Sequence, residues 1–116
     1  MIKLKRAYEP ASDQDGQRIL VDRLWPRGVS KANARIDRWA KELAPSTELR
    51  KWFAHDPEKW EEFQRRYKKE IAARTDAIKE IAGEAGSGVV TLVFAAKDEL
   101  HNEAVVLRGL IDKAIR

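Results

Sequence analysis

The sequence predicts an α/β sandwich whose strands pair in parallel. Three observations predict it. The chain opens on an alternating segment, "MIKLKRAYE". A short apolar segment, "RILVD", follows a turn. A strongly β-branched block, "VVTLVFAA" at 89–96, comes after several helical stretches and before one more. This β–β–several α–β–α order suits helices that cross between parallel strands and disfavours a helical bundle.

Each element has a local cause. Ile2 and Leu4 alternate with Lys3 and Lys5, the period of a half-buried strand, and the lysines suit a sheet edge. "PASDQDG" is rich in residues that break helices and strands and reads as a turn. "RILVD" is a short, mostly buried strand ending at Asp22, stopped by Pro26 and Gly28. Ser30 then caps a helix predicted from near Lys31, with Ile36, Trp39, Ala40 and Leu43 on one face and a stop at "APS". Ser46 caps a short helix bearing Leu49, Trp52 and Phe53. Asp56 before Pro57 starts the next, because a carboxylate accepts free amides and a proline needs no partner for one. Trp60, Phe63, Tyr67 and Ile71 recur at helical spacing; the continuation through Ile78 and Ile81 reads as a separate helix, ended by "GEAGSG". "VVTLVFAA" has no clear polar face and predicts a central strand, parallel to the strand at 19–22. The tail from about His101 to Ile115 reads as a helix turning Val105, Leu107, Leu110, Ile111 and Ile115 to the sheet, with Gly109 weakening its middle.

Composition narrows the function classes. The 116 residues, 43% hydrophobic and 36% charged, are read as one domain over 1–116. There are no cysteines, which excludes disulfides, thiolate catalysis, iron–sulfur clusters and cysteine-ligated zinc. No apolar run approaches the roughly 20 residues of a bilayer span, so a cytoplasmic protein without a membrane partner is expected. Net charge is +4, and the surplus lies in residues 1–50, with 11 Lys and Arg against 7 Asp and Glu. That asymmetry suits an anionic partner or simply solubility.

Ligands of open α/β sheets collect beyond the carboxyl ends of strands. Two polar segments leave such ends here, "DRLWPRG" and "KDELHNE", and they share a crevice if their strands are neighbours. Arg23 and Arg27 each offer a planar fork of donors to a phosphate or carboxylate, and Trp25 a flat platform. The structural alternative pairs Arg23 with Asp22 or Asp37 and uses Trp25 as a core plug. In the second segment Lys97 supplies a fixed charge, Asp98 a helix cap, Asn102 an orienting amide, and His101 an acid or base. His101 equally fits a helix-start residue bonded to Asp98. His55 is a further ligand-binding candidate beside the cap Asp56. No metal-ligand spacing, nucleophile elbow or phosphate loop is present, and no cofactor is implied. Trp25, Trp39, Trp52 and Trp60 fall on helix-like or corner positions, which argues against an RNA-binding sheet of stacking aromatics.

Three ordered blocks, "RILVDRLWPRGVSK", "WAKELAPSTELRKWFAHDPEKWEEFQRRY" and "TLVFAAKDELHNEAVVL", resemble the domain-of-unknown-function 488 family of small bacterial proteins over nearly the full chain. The resemblance implies a three-layer α/β/α sandwich with a small, mainly parallel sheet. Other branches of the wider family have a cysteine and a Cys-His-Arg sequence near the last strand. Here Ala95 and Ala96 follow Phe94, then "LHNEA", so a thiol mechanism is not available to this chain. The matching polar positions are Asp22, Arg23, Arg27, His55, Asp56, Lys97, Asp98, His101 and Asn102.

The leading expectation is a site for a small phosphorylated or carboxylated ligand. Arg23, Arg27 and Lys97 would hold the anion, and His101 with Asp98 would act if chemistry occurs. A non-catalytic module for RNA or an acidic protein ranks second, and a structural or dimerising domain third, with oligomeric state left open.

Overall fold

The computed structural model describes residues 1–115. Its strands are β1 (Ile2–Arg6), β2 (Gln17–Leu20), β3 (Arg38–Trp39) and β4 (Val90–Phe94). They form one parallel sheet in the order β1–β4–β2–β3. The helices are α1 (Lys31–Ala34), α2 (Thr47–Phe53), α3 (Trp60–Glu70), α4 (Thr75–Ser87) and α5 (Glu103–Ile115). The predicted parallel pairing of β2 with β4 is present, Ile19 opposite Leu92, and β1 takes the predicted edge.

Strand β4 is buried at every position because it is flanked by strands on both sides and covered on both faces. Ile19, Val90, Leu92 and Phe94 turn to a large apolar layer built with Leu49 and Phe53 of α2, Phe63 and Tyr67 of α3, Ile81 of α4, and Leu107 and Ile111 of α5. Each fully buried Leu or Ile there contributes about 1.5–3 kcal/mol. Leu20 and Val93 point the opposite way, into a smaller cluster with Ala7, Trp25, Ile36 and Trp39. Helices and loops on both faces give the three-layer α/β/α sandwich.

The thin face is held largely by polar groups. Arg18 and Asp15 are buried there and bonded at 2.6 Å, with Lys5 Nζ 3.2 Å from the same carboxylate. Arg18 Nε donates to Ala34 O at 2.8 Å, which seats α1, and Thr91 Oγ1 donates to Asp15 O at 2.7 Å. Burial opposes the Asp15 charge, yet the Ser12 amide, Lys5 and Arg18 outweigh it and hold the carboxyl below its usual range. A buried carboxylate is tolerable when its lone pairs are satisfied in this way.

Several expectations are corrected. The helix from Lys31 does not run to Leu43: it stops after Ala34, where Arg35 turns left-handed at φ 49°. The chain then serves the open edge of β2. Asp37 Oδ2 accepts the Arg18 amide at 2.8 Å, and the Ala40 amide donates to Leu20 O at 2.8 Å. Trp39 therefore lies on a strand. Helix α4 runs through most of "GEAGSG" and ends only at its last glycine, Gly88; the buried Ile81, Ala82 and Ala85 outweigh a cost of roughly 1 kcal/mol for each interior glycine. Helix α5 starts at Glu103 rather than His101, and its buried face is Ala104, Val106, Leu107 and Ile111, leaving Ile115 exposed. Among the described residues, no helix is long and apolar enough to cross a membrane.

Gly16 permits the closest backbone approach among the glycines. Its φ is +62°, and a Cβ there would stand 2.1 Å from Val89 O. Gly16→Ala is expected to lower stability by roughly 2 kcal/mol or more in urea unfolding. Gly28→Ala, at φ +76° with nothing within 4 Å, should lose only about 1 kcal/mol.

Candidate functional site

The chain leaves β2 toward α1 on the thin face and leaves β4 toward α5 on the thick one. The neighbouring ends of β2 and β4 are therefore a topological switch point, where a crevice opens. Asp22 ties the two ends together, its Oδ2 accepting the Ala95 amide at 2.9 Å. Beyond this bond lies a cavity of about 500 Å³. The two polar loops singled out in the sequence face each other across it.

Six of the eight candidate residues line this cavity: Arg23, His55, Lys97, Asp98, His101 and Asn102. Arg23 pairs with neither Asp22 nor Asp37. Its Nε donates to Pro45 O at 3.1 Å and its Nη2 lies 3.5 Å from Ala44 O, so the segment before α2 anchors the guanidinium. Lys97 is exposed at the rim. Asp98 caps the turn that follows it, accepting the Leu100 and His101 amides at 2.9 and 3.1 Å. The cap of α5 is Asn102 instead of Asp98: its Oδ1 accepts the Val105 amide at 3.2 Å while its Nδ2 donates to Asp98 O at 2.9 Å.

His101 is held from two sides. Its Nδ1 is 2.8 Å from Asp98 Oδ2, and its ring stands edge-on to Trp60 with centroids 5.2 Å apart. The Leu100 amide and His101 hold the Asp98 carboxyl below the usual range. Trp60 continues a row of rings through Phe63 to Tyr67, with centroids 5.7 and 5.6 Å apart, set by their three- and four-residue spacing on α3. Phe53 of α2 stacks on Phe63 at 4.4 Å, and these two rings form an apolar wall of the cavity. His55 reaches the cavity from a strained corner, with Ala54 at φ 47° and His55 at φ 57°.

Trp25 and Arg27 are not brought to the cavity. Trp25 packs against Trp39 at 5.4 Å and its Nε1 donates to Val29 O at 2.7 Å, so it belongs to the small cluster on the thin face. Arg27 is exposed on the loop beyond it. Proline and glycine turn the loop away after Leu24, and the second half of the motif follows the thin face.

Sequence reading missed two charged lining residues, Arg50 and Glu103. Arg50 sits in α2, outside both strand-end loops. Glu103 looks like an ordinary acidic first-turn residue of α5, favoured by the helix dipole. Its distinction is three-dimensional. Glu103 lines the cavity together with Asp22, and the two carboxyls are close enough to interact. Loss of hydration, then the adjoining Asp22, push the Glu103 carboxyl well above its usual range; its own amide and Arg50 pull back only in part. Burial, followed by the charges of Glu103, Asp22 and Glu70, also pushes the Tyr67 phenol up; that hydroxyl donates to Leu43 O. Among the described residues, no group of three or more His, Cys, Asp or Glu side chains is placed to hold a metal ion.

The chain matches the family described as "Inactive DUF488-N3 subclade" over residues 1–116. It is 44% identical over 106 residues to the uncharacterized protein YeaO of Escherichia coli, covering 91% of this chain and 92% of that protein. It is 40% identical over 111 residues to the uncharacterized protein Rv3073c of Mycobacterium tuberculosis, covering 96% and 93%. No solved structure matches the chain.

Two stability effects follow from this geometry. The folded Glu103 carboxyl holds its proton more tightly than the unfolded chain does. Its contribution to stability is full below the ordinary value of 4.5 and is lost as pH rises toward the raised one. The melting temperature of Glu103→Gln relative to the parent should therefore rise as pH increases above 4.5 in scans followed by circular dichroism. Ala54→Gly should stabilise the fold by about 0.5–1 kcal/mol in urea unfolding, because glycine adopts the left-handed helix cap without steric cost.

Proposed function

This chain belongs to the DUF488-N3i family, and from that premise we propose that the cavity binds a small organic anion without converting it. The observation that carries the reading is the composition of the cavity at the switch point. Phe53, Phe63, Leu24 and Pro45 supply apolar wall, while Arg23, Arg50 and Lys97 supply cationic groups around it. Such a site buries the body of a small molecule and fixes its charged end. His55 and His101 add ring nitrogens at the same opening. Asp98 and Asn102 act by fixing the loop that carries Lys97 and His101.

Binding without turnover is supported by the family's description as inactive. The sequence has no cysteine, so the thiol found near the last strand in other branches has no counterpart here. The Asp98–His101 pair has the spacing of an oriented base, and in this reading it presents a hydrogen-bonding ring to the ligand. A cavity of about 500 Å³ has the size of a small-molecule site.

Phenyl phosphate is a direct probe. It should bind in isothermal titration calorimetry, and the Arg50→Ala/Lys97→Ala double variant should weaken it about tenfold or more. Prolonged incubation should release no phenol. Phenol release overturns the non-catalytic part of the reading. Failure of phenyl phosphate to bind, alongside salt-sensitive retention of RNA, overturns the small-anion part in favour of a nucleic-acid module.

A further inference from the structure

We propose that the cavity selects a zwitterion, whose basic nitrogen reaches the Asp22–Glu103 pair while its phosphate or carboxylate meets Arg23, Arg50 and Lys97. The inference rests on the small-anion reading and adds the other half of the ligand. It starts from a contrast between two acidic sites in one fold. On the thin face, Asp15 receives two cations, Arg18 at 2.6 Å and Lys5 at 3.2 Å. Between the strand ends, Asp22 and Glu103 meet each other, and among the described residues neither makes an ion pair. One Asp22 oxygen is taken by the Ala95 amide at 2.9 Å. Both residues line the cavity.

A carboxyl pair that keeps one proton still carries one net negative charge. In a pocket walled by Phe53 and Phe63 that charge is poorly hydrated, and a cation from outside is the group that best balances it. An anion placed against the pair would meet like charge, so the two ends of the ligand are oriented in one direction only. The aromatic faces add an attraction for the incoming cation. Around the pair, Arg50 comes from α2 and Tyr67 from α3, with Lys97 and His101 on the loop after β4. Lys97 is exposed, Arg23 is anchored on backbone carbonyls, and neither they nor Arg50, whose charge reaches Glu103, form an ion pair with Asp22 or Glu103.

The test compares two probes of the same shape by calorimetry near neutral pH: 4-ethylphenyl phosphate and 4-(aminomethyl)phenyl phosphate. The aminomethyl probe should bind about tenfold more tightly or better. In the Asp22→Asn/Glu103→Gln double variant, which leaves the pair no ionisable oxygen, the ratio of the two dissociation constants should fall below about threefold. Equal or weaker binding of the aminomethyl probe in the parent protein overturns the zwitterion inference and leaves the small-anion reading standing. Absence of binding by both probes overturns both. The parent comparison is decisive even where the variant does not fold.

Discussion

The Asp22 carboxylate accepts the Ala95 amide at the point where β2 and β4 cease to pair. The last backbone bond between them is Val21 N–H to Val93 O at 3.1 Å, and on the β1 side of β4 the Ala7 amide donates to Phe94 O at 2.7 Å. Past these bonds the two chains must part, one toward each face of the sheet. Without a side-chain acceptor the Ala95 amide would be left without a partner where the ladder ends, and orphaned buried amides are costly. Satisfying it from Asp22 keeps the strand ends abreast while the loops diverge. The cavity is the space that this divergence leaves, and Glu103 enters it because Asn102 starts α5 immediately before.

The two faces of the sheet solve burial differently. The thick face excludes water with aliphatic side chains and the ring series from Trp60 to Tyr67. The thin face has too few residues for that, and fills the gap with Arg18, Asp15 and Thr91, each bonded to a specific partner. Apolar packing tolerates small shifts, whereas this network requires particular register between β1, β2 and β4. The less deeply covered face thereby carries much of the positional information.

Much of this was legible in the sequence, and the misses share a cause. Strand β4, its parallel pairing with β2, and the caps at Ser30, Ser46 and Asp56 are local or compositional signals, and each is present. Ile36, Trp39 and Leu43 have helical spacing, but the unpaired edge of β2 captures this segment as β3. Tertiary hydrogen bonds outweigh a weak local preference there. The same limit applied to the site. Strand-end reasoning found the loops at Arg23, Lys97 and His101, because topology alone places them. It could not separate Arg23 from Arg27, since only the path of the turn after Leu24 sends one to the cavity and the other away. Glu103 was invisible because its meaning depends on Asp22, a residue remote in the chain.

The sheet order has a consequence for how the protein comes into being. Ile2 pairs with Val90, and β1 makes no ladder with any strand but β4. During synthesis β1 emerges first and has no partner until nearly all later elements have left the ribosome. Only β2 and β3 can associate early, through Ile19 and Arg38. Non-local pairing of this kind slows folding and prolongs the exposure of unpaired strands. Lys3 and Lys5 give the waiting segment a charge that discourages association with another nascent chain, before Lys5 finds Asp15 in the finished fold.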